Sequence, residues 1–184
     1  MKFSSLSIPG LILVELNIHG DNRGYFAETF RQDLLEKATG YKVDFIQENE
    51  SKSTKGVLRG LHYQLPPYTQ AKLVRVTEGA VLDVVLDIRK SSPSFGQHVA
   101  LELSAKNKKQ LFVPRGFAHG FIVLSDSATF TYKVDNCYAP DHDRGIAYDD
   151  KSLAINWQLP FELFKLSAKD RCHPTLSDAK DILG

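Results

Sequence analysis

Four segments with the composition of β-strands each carry one titratable side chain among apolar neighbours. Alternate residues of a strand point to the same face of a sheet, which assigns those neighbours. His119 shares a face with Phe117, Phe121 and Val123, Tyr132 with Phe130 and Val134, Lys72 with Val74 and Val76, and Asp83 with Val81 and Val85. Taken singly, each group could be a satisfied core residue, and Lys72 could point outward with Leu73 inward. Because buried polar groups are costly without partners, one polar pocket explains all four together.

A histidine, a lysine and a tyrosine around one pocket are suited to acid–base chemistry beside a ketone. Histidine can remove a proton from the neighbouring carbon at neutral pH. A lysine charge stabilises the enolate that forms. A tyrosine, whose ordinary pKa is about 10, can return a proton from the other side. A base on one face and an acid on the other indicate an epimerase, although an isomerase that works on a single face would use similar groups.

The segment 56–64, with the sequence GVLRGLHYQ, raises a question of geometry. Strict alternation places Arg59 and His62 on opposite faces of the strand. Glycines inside strands often mark bulges, and a bulge at Gly60 would bring both side chains to one face. The alternative is a plain strand with Arg59 in solvent, and the segment alone does not decide between them.

The histidine pattern argues against a metal centre. Metal cages in β-barrels need several convergent histidine or carboxylate ligands. His62 is followed by Tyr63 and Gln64, so no His-x-His pair exists, and Lys72 on the next strand would repel a cation. The remaining histidines are scattered: His19, His98, His142 and His173. We therefore expect neither a metal nor a cofactor.

The elements that must position these groups are mostly short strands. We predict strands at 11–16, 43–47, 56–64, 72–77, 80–88, 97–103, 109–113, 117–124 and 128–134. Turn-forming residues separate them, for example Ser91–Ser94, and a short helix is expected at 32–38, ended by Gly40. Many short strands without intervening helical patterns predict an antiparallel sandwich or barrel, in one domain covering residues 1–184.

Composition excludes several classes of protein. The 184 residues carry 23 basic and 22 acidic side chains, a net charge of +1, so we expect no nucleic-acid partner. Two cysteines, Cys137 and Cys172, are too few for a disulfide framework and are expected to be reduced. Neither a signal peptide nor a membrane-spanning segment is evident, which predicts a cytoplasmic protein without membrane contact.

Several longer motifs together resemble one known family. They are IPG at 8–10, DNRGYFAETF at 21–30, QENES at 47–51, GVLRGLHYQ at 56–64, QAKLVRV at 70–76, VPRGFAHGF at 113–121, YK at 132–133 and SAKD at 167–170. In this order they are similar to the dTDP-4-dehydrorhamnose 3,5-epimerase family, which consists of metal-free cupins. The resemblance implies an all-β, cupin-type double-stranded β-helix (a jelly-roll barrel) with a few short helices, assembled as a homodimer.

The resemblance also implies the reaction and the catalytic residues. The substrate is a nucleoside-diphosphate 4-keto-6-deoxy sugar whose C3 and C5 are inverted. His62 matches the base that removes the proton beside the C4 ketone, and Asp170 matches the carboxylate that orients it. Lys72 matches the lysine that stabilises the enolate, and Tyr132 matches the acid on the opposite face.

Further positions match the family's substrate contacts. Arg23 and Arg59 correspond to diphosphate ligands, which suits guanidinium chemistry. The other matching positions are Phe26, Glu28, Gln47, Asn49, His119, Tyr138, Asp143 and Lys169. Tyr138 is where the family stacks an aromatic ring on the nucleobase, and Phe26 and Glu28 would come from the partner subunit. Asp143 is a departure, since the family has a glutamate there.

Two alternative functions stay open at this level. The chain could be a 3- or 5-monoepimerase acting on another nucleotide-linked 4-keto sugar. It could also be a cupin that binds a sugar nucleotide without catalysis. The presence of His62, Lys72 and Tyr132 favours the double epimerase.

Overall fold

The computed structural model describes residues 1–183 and consists mainly of antiparallel strands in two facing sheets. The strands are β1 Lys2–Ser5, β2 Ile12–Glu15, β3 Ile18–Asp21, β4 Gly24–Ala27, β5 Gln47–Thr54, β6 Leu58–Gln64, β7 Lys72–Glu78, β8 Ala80–Asp87, β9 His98–Ser104, β10 Gln110–Val113, β11 Phe117–Val123, β12 Ser127–Val134 and β13 Asp143–Gly145. One sheet has the order β1-β2-β10-β7-β12-β5 and the other β13-β6-β11-β8-β9. β3 and β4 form a separate hairpin. The all-β, jelly-roll prediction is confirmed.

The interior between the two sheets is filled by alternate, inward-facing side chains. Val74 and Phe130 from the six-stranded sheet pack against Val85, Phe117 and Phe121 from the five-stranded sheet. These side chains are almost completely removed from water. Each such burial contributes about 1.5–3 kcal/mol, so this layer is a main source of stability. It also provides the rigid support on which the polar residues are placed.

Both outer faces are covered as well. The single α-helix, α1 (Gln32–Thr39), packs Leu35 onto the six-stranded sheet together with Val43. The chain beyond β13 crosses the outside of the five-stranded sheet and buries Leu153 and Trp157 there. This second covering is functionally relevant, because it brings the region around residue 170 against β6.

The predicted helix is confirmed, and its end has a clear cause. Gly40 adopts φ 79°, a left-handed conformation that glycine reaches without strain, and its N–H donates to the Glu36 carbonyl. The other helical elements are two short 3-10 turns, at Pro140–His142 and Phe161–Leu163.

The predicted strand at 43–47 is wrong. The strand in this region begins only at Gln47 and runs to Thr54. Val43 and its neighbours instead pack with the helix on the outside of the sheet, so their apolar character reflects burial rather than strand pairing. The sequence also does not predict β1, β3, β4 and β13. None of these short strands has more than one Val, Leu or Ile, whereas β2 and β10, which are as short, have two or more.

Within residues 1–183, no helix has the length and apolar character needed to cross a membrane. Cys137 and Cys172 are both exposed and free.

Candidate active site

Two adjoining cavities open at one end of the sandwich, with volumes of about 350 and 190 Å³. Both are lined by His62, Lys72 and Tyr132, which therefore stand where the two spaces meet. Other residues at the cavity walls include Gln47, Asn49, Ser51, Arg59, Gln64, Gln70, His119, Phe121, Phe130, Tyr138 and Asp143. The strand-face predictions for His119, Lys72 and Tyr132 are thus confirmed.

The cavity lies between the two sheets, and each sheet contributes different chemistry. His62 is on β6 of the five-stranded sheet, whereas Lys72 and Tyr132 are on β7 and β12 of the six-stranded sheet. A substrate in the cavity is therefore flanked by the imidazole from one sheet and by the phenol and the ammonium group from the other. Phe121 and Phe130, stacked with ring centroids 4.3 Å apart, form an apolar floor.

A bulge at Gly60 brings Arg59 and His62 to the same face. His62 lies opposite His119 and Arg59 opposite Phe121, so three steps along β6 match two along β11. Gly60 has φ 142°, and a Cβ there would lie 2.5 Å from the Gly120 Cα. Only glycine tolerates this conformation and this approach. The bulged alternative for the segment 56–64 is confirmed.

His62 forms a hydrogen-bonded pair with Asp170. Its Nε2 lies 2.5 Å from the Asp170 Oδ1, which leaves Nδ1 as the free ring nitrogen. Ser167 holds the carboxylate, since its hydroxyl donates to Oδ2 at 2.7 Å and accepts from the Asp170 N–H. Burial is the largest single effect on the Asp170 pKa and raises it, but contacts with His173, His62 and Ser167 together keep that pKa well below its usual range.

The electrostatic surroundings of His62 keep it available as a base. Burial is the main cause that lowers the pKa of His62 below its ordinary value, and the carboxylate of Asp170 opposes this effect. Lys169 and Lys72 add to the lowering. At neutral pH the ring is therefore largely unprotonated, as a general base requires.

Lys72 is a half-buried cation at the wall of both cavities. Burial lowers its pKa from 10.5 to about 8, and the charges of Asp143 and Asp83 counteract part of this shift. The ammonium group thus stays mostly protonated at pH 7 but is poorly solvated. A cation of this kind interacts strongly with negative charge that develops on a bound substrate.

Tyr132 retains its proton throughout the neutral range. Burial raises the pKa of this phenol, while Asn49 and the charge of Arg59 act in the opposite direction. Asn49 is the direct cross-strand neighbour of Tyr132 on β5. The protonated phenol beside the cavity is a group that can act as an acid.

The orientation of His119 is fixed by the carboxylate of Asp83. The sequence predicts that Asp83 faces inward, but it does not predict this contact. Both oxygens of Asp83 lie within 3.0 Å of the His119 Nε2, and the Asp83 side chain is completely buried. The pair connects β8 and β11, so the imidazole orientation is set by the sheet itself. Asp83 is therefore a supporting residue for a side chain at the cavity wall.

β5 supplies a polar wall by simple alternation. Gln47, Asn49 and Ser51 line the cavity, while the residues between them are exposed and charged. Ser53, two positions further, is buried and accepts hydrogen bonds from the Nε and Nη2 of Arg59 at 3.2 Å. These bonds orient the guanidinium group along the cavity edge.

At the outer rim of the cavity, Tyr138 lies on a loop whose backbone is fixed by hydrogen bonds to Gln64. Gln64 donates to the carbonyl of Cys137 and accepts from the Ala139 N–H, so it fixes the backbone on both sides of Tyr138. Tyr138 is 56% exposed, and its hydroxyl donates to Asp143 at 2.9 Å. Lys169 also bonds to Asp143. The supporting role of Gln64 was not predicted from the sequence.

Three of the predicted substrate-binding residues lie away from the cavity of their own chain. Arg23 and Phe26 belong to the exposed β3–β4 hairpin, where Phe26 is 69% exposed and Arg23 pairs with Asp21. Glu28 follows the hairpin and pairs with Arg31. Within one chain, therefore, the structure does not bring these three residues together with His62.

One group of potential metal ligands exists among residues 1–183, namely His62, Asp170 and His173, whose donor atoms lie within 4.8 Å of one another. Two ligands of a tetrahedral zinc ion are about 3.3 Å apart. The 2.5 Å contact between His62 and Asp170 is shorter, so these two side chains are arranged as a hydrogen-bonded pair. The expectation that no metal is needed stays a prediction.

The fold and the cavity define the class of protein. An antiparallel jelly roll that holds a histidine–carboxylate pair, a lysine and a tyrosine around one polar cavity has the groups that an acid–base isomerase of small polar substrates requires. The family model described as dTDP-4-dehydrorhamnose 3,5-epimerase matches residues 5–178. The chain belongs to this family and is a sugar-nucleotide epimerase.

Individual relatives agree with this assignment. The dTDP-4-dehydrorhamnose 3,5-epimerase of Shigella flexneri is 55% identical over all of this chain and 94% of its own length. The crystal structure of the dTDP-6-deoxy-D-glucose-3,5-epimerase from Legionella pneumophila, in complex with dTDP-4-keto-L-rhamnose, has a TM-score of 0.94 at 46% identity and covers 99% of this chain and 97% of that one. A 3′-monoepimerase from Streptomyces bikiniensis, in complex with dTDP-quinovose, has a TM-score of 0.88 at 35% identity, covering 95% and 88%.

Proposed function

We propose that this chain inverts both C3 and C5 of dTDP-4-keto-6-deoxyglucose to give dTDP-4-keto-rhamnose. The observation that carries the proposal is the placement of His62 and Tyr132 on opposite sheets across one cavity. Inversion at a carbon requires that a proton leave one face and return to the other. Lys72, beside both, supplies the charge that the intermediate needs.

In the first half of each inversion, His62 takes the proton from the carbon next to the C4 ketone. The electron pair of the broken C–H bond forms the enolate, and its negative charge lies on the C4 oxygen. Lys72 stabilises that oxygen, and the carboxylate of Asp170 stabilises the imidazolium that results. Because His62 has a lowered pKa and Lys72 is still charged at neutral pH, both groups are in the required state there.

In the second half, the phenol of Tyr132 donates its proton to the opposite face of the same carbon. The C–H bond forms as the enolate returns to the ketone. The phenolate then regains a proton from solvent while His62 releases the one that it removed. The raised pKa of Tyr132 supports this assignment, because the phenol must be protonated before each turnover.

The remaining cavity residues suit the nucleoside diphosphate. Arg59 is oriented by Ser53 and offers a guanidinium for a phosphate. Gln47, Asn49 and His119 offer polar contacts to the sugar or its diphosphate, and Tyr138 at the exposed rim can stack on the base. Asp143 and Lys169, which bond to each other, close the same rim.

The test of the function is proton exchange in deuterated water. With dTDP-4-keto-6-deoxyglucose as substrate, NMR should show deuterium replacing the protons at C3 and at C5, with the inverted sugar formed. Exchange at one carbon only would favour the monoepimerase alternative, to which a 35% identical relative belongs. Binding without exchange would show a non-catalytic cupin, and either result would contradict the proposal.

Replacing Tyr132 by phenylalanine should separate the two halves of the reaction. The variant loses the acid but keeps the base and the cation, so loss of the C3 proton to solvent should stay measurable while inverted product falls by about 10²-fold or more. The measurement is the ratio of deuterium exchange to product formation. Tyr68, whose ring packs at a tilt against His142 outside the catalytic group, provides a matched Tyr68→Phe control. Unchanged product formation by Tyr132→Phe would remove Tyr132 as the acid.

We also propose a homodimer in which the β3–β4 hairpin reaches the partner's cavity. The exposure of Tyr25 and Phe26 supports this, as does Arg23, which pairs with Asp21 on the same hairpin and does not line the cavities of its own chain. A cytoplasmic location is proposed as well, which the free cysteines Cys137 and Cys172 support.

The dimer proposal predicts complementation between inactive chains. Arg23→Ala and His62→Ala variants should each be poorly active alone. Mixed dimers should regain activity, because one site then combines His62 of one chain with Arg23 of the other. The test is the rate of the co-expressed variants, measured at low substrate concentration. The molar mass of the protein in solution is the control that shows whether dimers form. A monomer, or no recovery on mixing, would contradict the proposal.

A further inference from the structure

His173 is a buried histidine beside the catalytic pair that the mechanism above does not use. Its side chain is only 9% exposed, and its Nε2 is buried without a hydrogen-bond partner. The Asp170 Oδ1, which also contacts His62, lies 3.6 Å from that nitrogen. The rings of His62 and His173 meet edge to face, with centroids 5.5 Å apart. One carboxylate oxygen thus faces two imidazoles.

The sheet makes room for this second imidazole. Gly145 on β13 is the cross-strand partner of His62. A Cβ on Gly145 would collide with the His173 ring atoms Nε2, Cε1 and Cδ2. The ring of His173 therefore occupies the place that a side chain at 145 would take next to His62. The ring fits there only because residue 145, paired with His62, is a glycine.

The proton of a neutral His173 belongs on Nε2. If Nε2 carried a lone pair, that lone pair would face a negatively charged oxygen at 3.6 Å, which is repulsive. With the proton on Nε2, the N–H dipole points at Asp170. We propose that His173 is a positioning residue whose buried Nε2–H group faces Asp170 and limits how strongly that carboxylate holds a proton on His62.

Other charges around the two imidazoles must be considered with this contact. His62 is faced by Asp170 from the C-terminal segment, by Lys72 from β7 and by Lys169. The outer cavity that His173 lines also contains Asp143, Arg144, Lys169, Lys180 and Asp181. Asp143 bonds to Lys169, and Arg144 to Asp181, so the main acidic groups of that cavity have partners. Asp170 is the carboxylate shared by His62 and His173.

This inference rests on the proposed role of His62 as the base, and it has a defined sign. Without the N–H group of His173 facing it, the Asp170 carboxylate interacts more strongly with the protonated ring of His62. The pKa of His62 then rises, and the acid limb of kcat/KM moves to higher pH. A purely structural histidine would instead lower activity at every pH.

The test replaces His173 by phenylalanine, which keeps the ring and removes both nitrogens. NMR titration of the His62 ring should move upward by about 0.5–1 pH unit. On the acid limb, well below the pKa of His62, kcat/KM should fall about 3- to 10-fold, with less than about twofold change at pH 7.5. His173→Gln, whose amide N–H can occupy nearly the same place, should restore the wild-type profile. Gly145→Ala, which displaces the ring, should shift the profile in the same direction as His173→Phe.

His98→Phe, on β9 and away from the cavity, is the matched control and should leave the profile unshifted. An unchanged His62 titration in His173→Phe and Gly145→Ala would overturn the inference, as would an equal loss of rate at all pH values. Retention of C3 exchange by His62→Ala would show that His62 is not the base. The comparison of the His62 titration in the wild type and in His173→Phe would still test the role of His173.

Discussion

Replacing His62 by alanine is expected to abolish exchange of the substrate C3 proton with deuterated water. A general base contributes about 10²–10⁴-fold to a rate. Asp143, the carboxylate on the same side of the cavity, is engaged by the Tyr138 hydroxyl and by Lys169. His119 is also paired with a carboxylate, Asp83, but it lines only one of the two cavities, whereas His62 lines both. Product formation should fall by the same factor as exchange, because proton removal comes first in each inversion.

The matched control for His62 is His98→Ala, since His98 lies on β9 outside the cavity. It should exchange the C3 proton at the wild-type rate. Retained binding of dTDP by His62→Ala would show that the cavity is intact. Wild-type exchange in His62→Ala would contradict the proposed role of this residue.

Replacing Lys72 by alanine is expected to lower kcat about 10²–10³-fold while leaving the protein folded. Loss of one preorganised group that stabilises an oxyanion has an effect of this size. Lys72 lies half-buried at the cavity wall, and water that enters in its place does not carry its fixed positive charge. The measurement is kcat with dTDP-4-keto-6-deoxyglucose, together with circular dichroism of the variant. Lys52→Ala is the control, because Lys52 is an exposed lysine on β5 that is paired with Glu78 at the end of β7.

The pH dependence provides a second readout for Lys72. The ammonium group, with its pKa of about 8, is protonated below that pH and loses its charge above it. Wild-type kcat/KM should therefore decline above about pH 8, as Lys72 loses its charge. It should also decline at acid pH, below 6.5, as His62 becomes protonated. Lys72→Arg, which retains its charge, should lose the alkaline decline. A near-normal turnover in Lys72→Ala, or an unaltered alkaline limb in Lys72→Arg, would exclude the enolate role.

Strand alternation in the sequence is sufficient to place several site residues. His119, Lys72, Tyr132 and Asp83 all lie on the inward faces that their apolar neighbours predict. The reason is physical: in a two-layer sandwich one face of each strand must be apolar, so a polar side chain on that face stands out. The bulge at Gly60 could be suspected but not decided, since it depends on how closely β11 approaches.

β5 shows where this approach fails. Its sequence, QENESKST, has no apolar residue, although the strand alternates between inward and outward positions. The inward side chains contact a cavity and the outward ones contact water, so both sets are polar and the hydrophobic signal disappears. The signal that remains is charge: Glu48, Glu50 and Lys52 are the exposed positions, and the uncharged residues between them face inward.

The amino-acid sequence by itself determined the class of fold, the inward polar residues and, through its motifs, the family. It did so because residue type and a period of two report directly on which side of a strand meets water. Only the tertiary structure decided which groups act together. His62 and Asp170 are 108 positions apart, and the covering of the five-stranded sheet by the C-terminal segment joins them. The same packing places His173 beside Gly145, a contact between two backbone segments that no local pattern records.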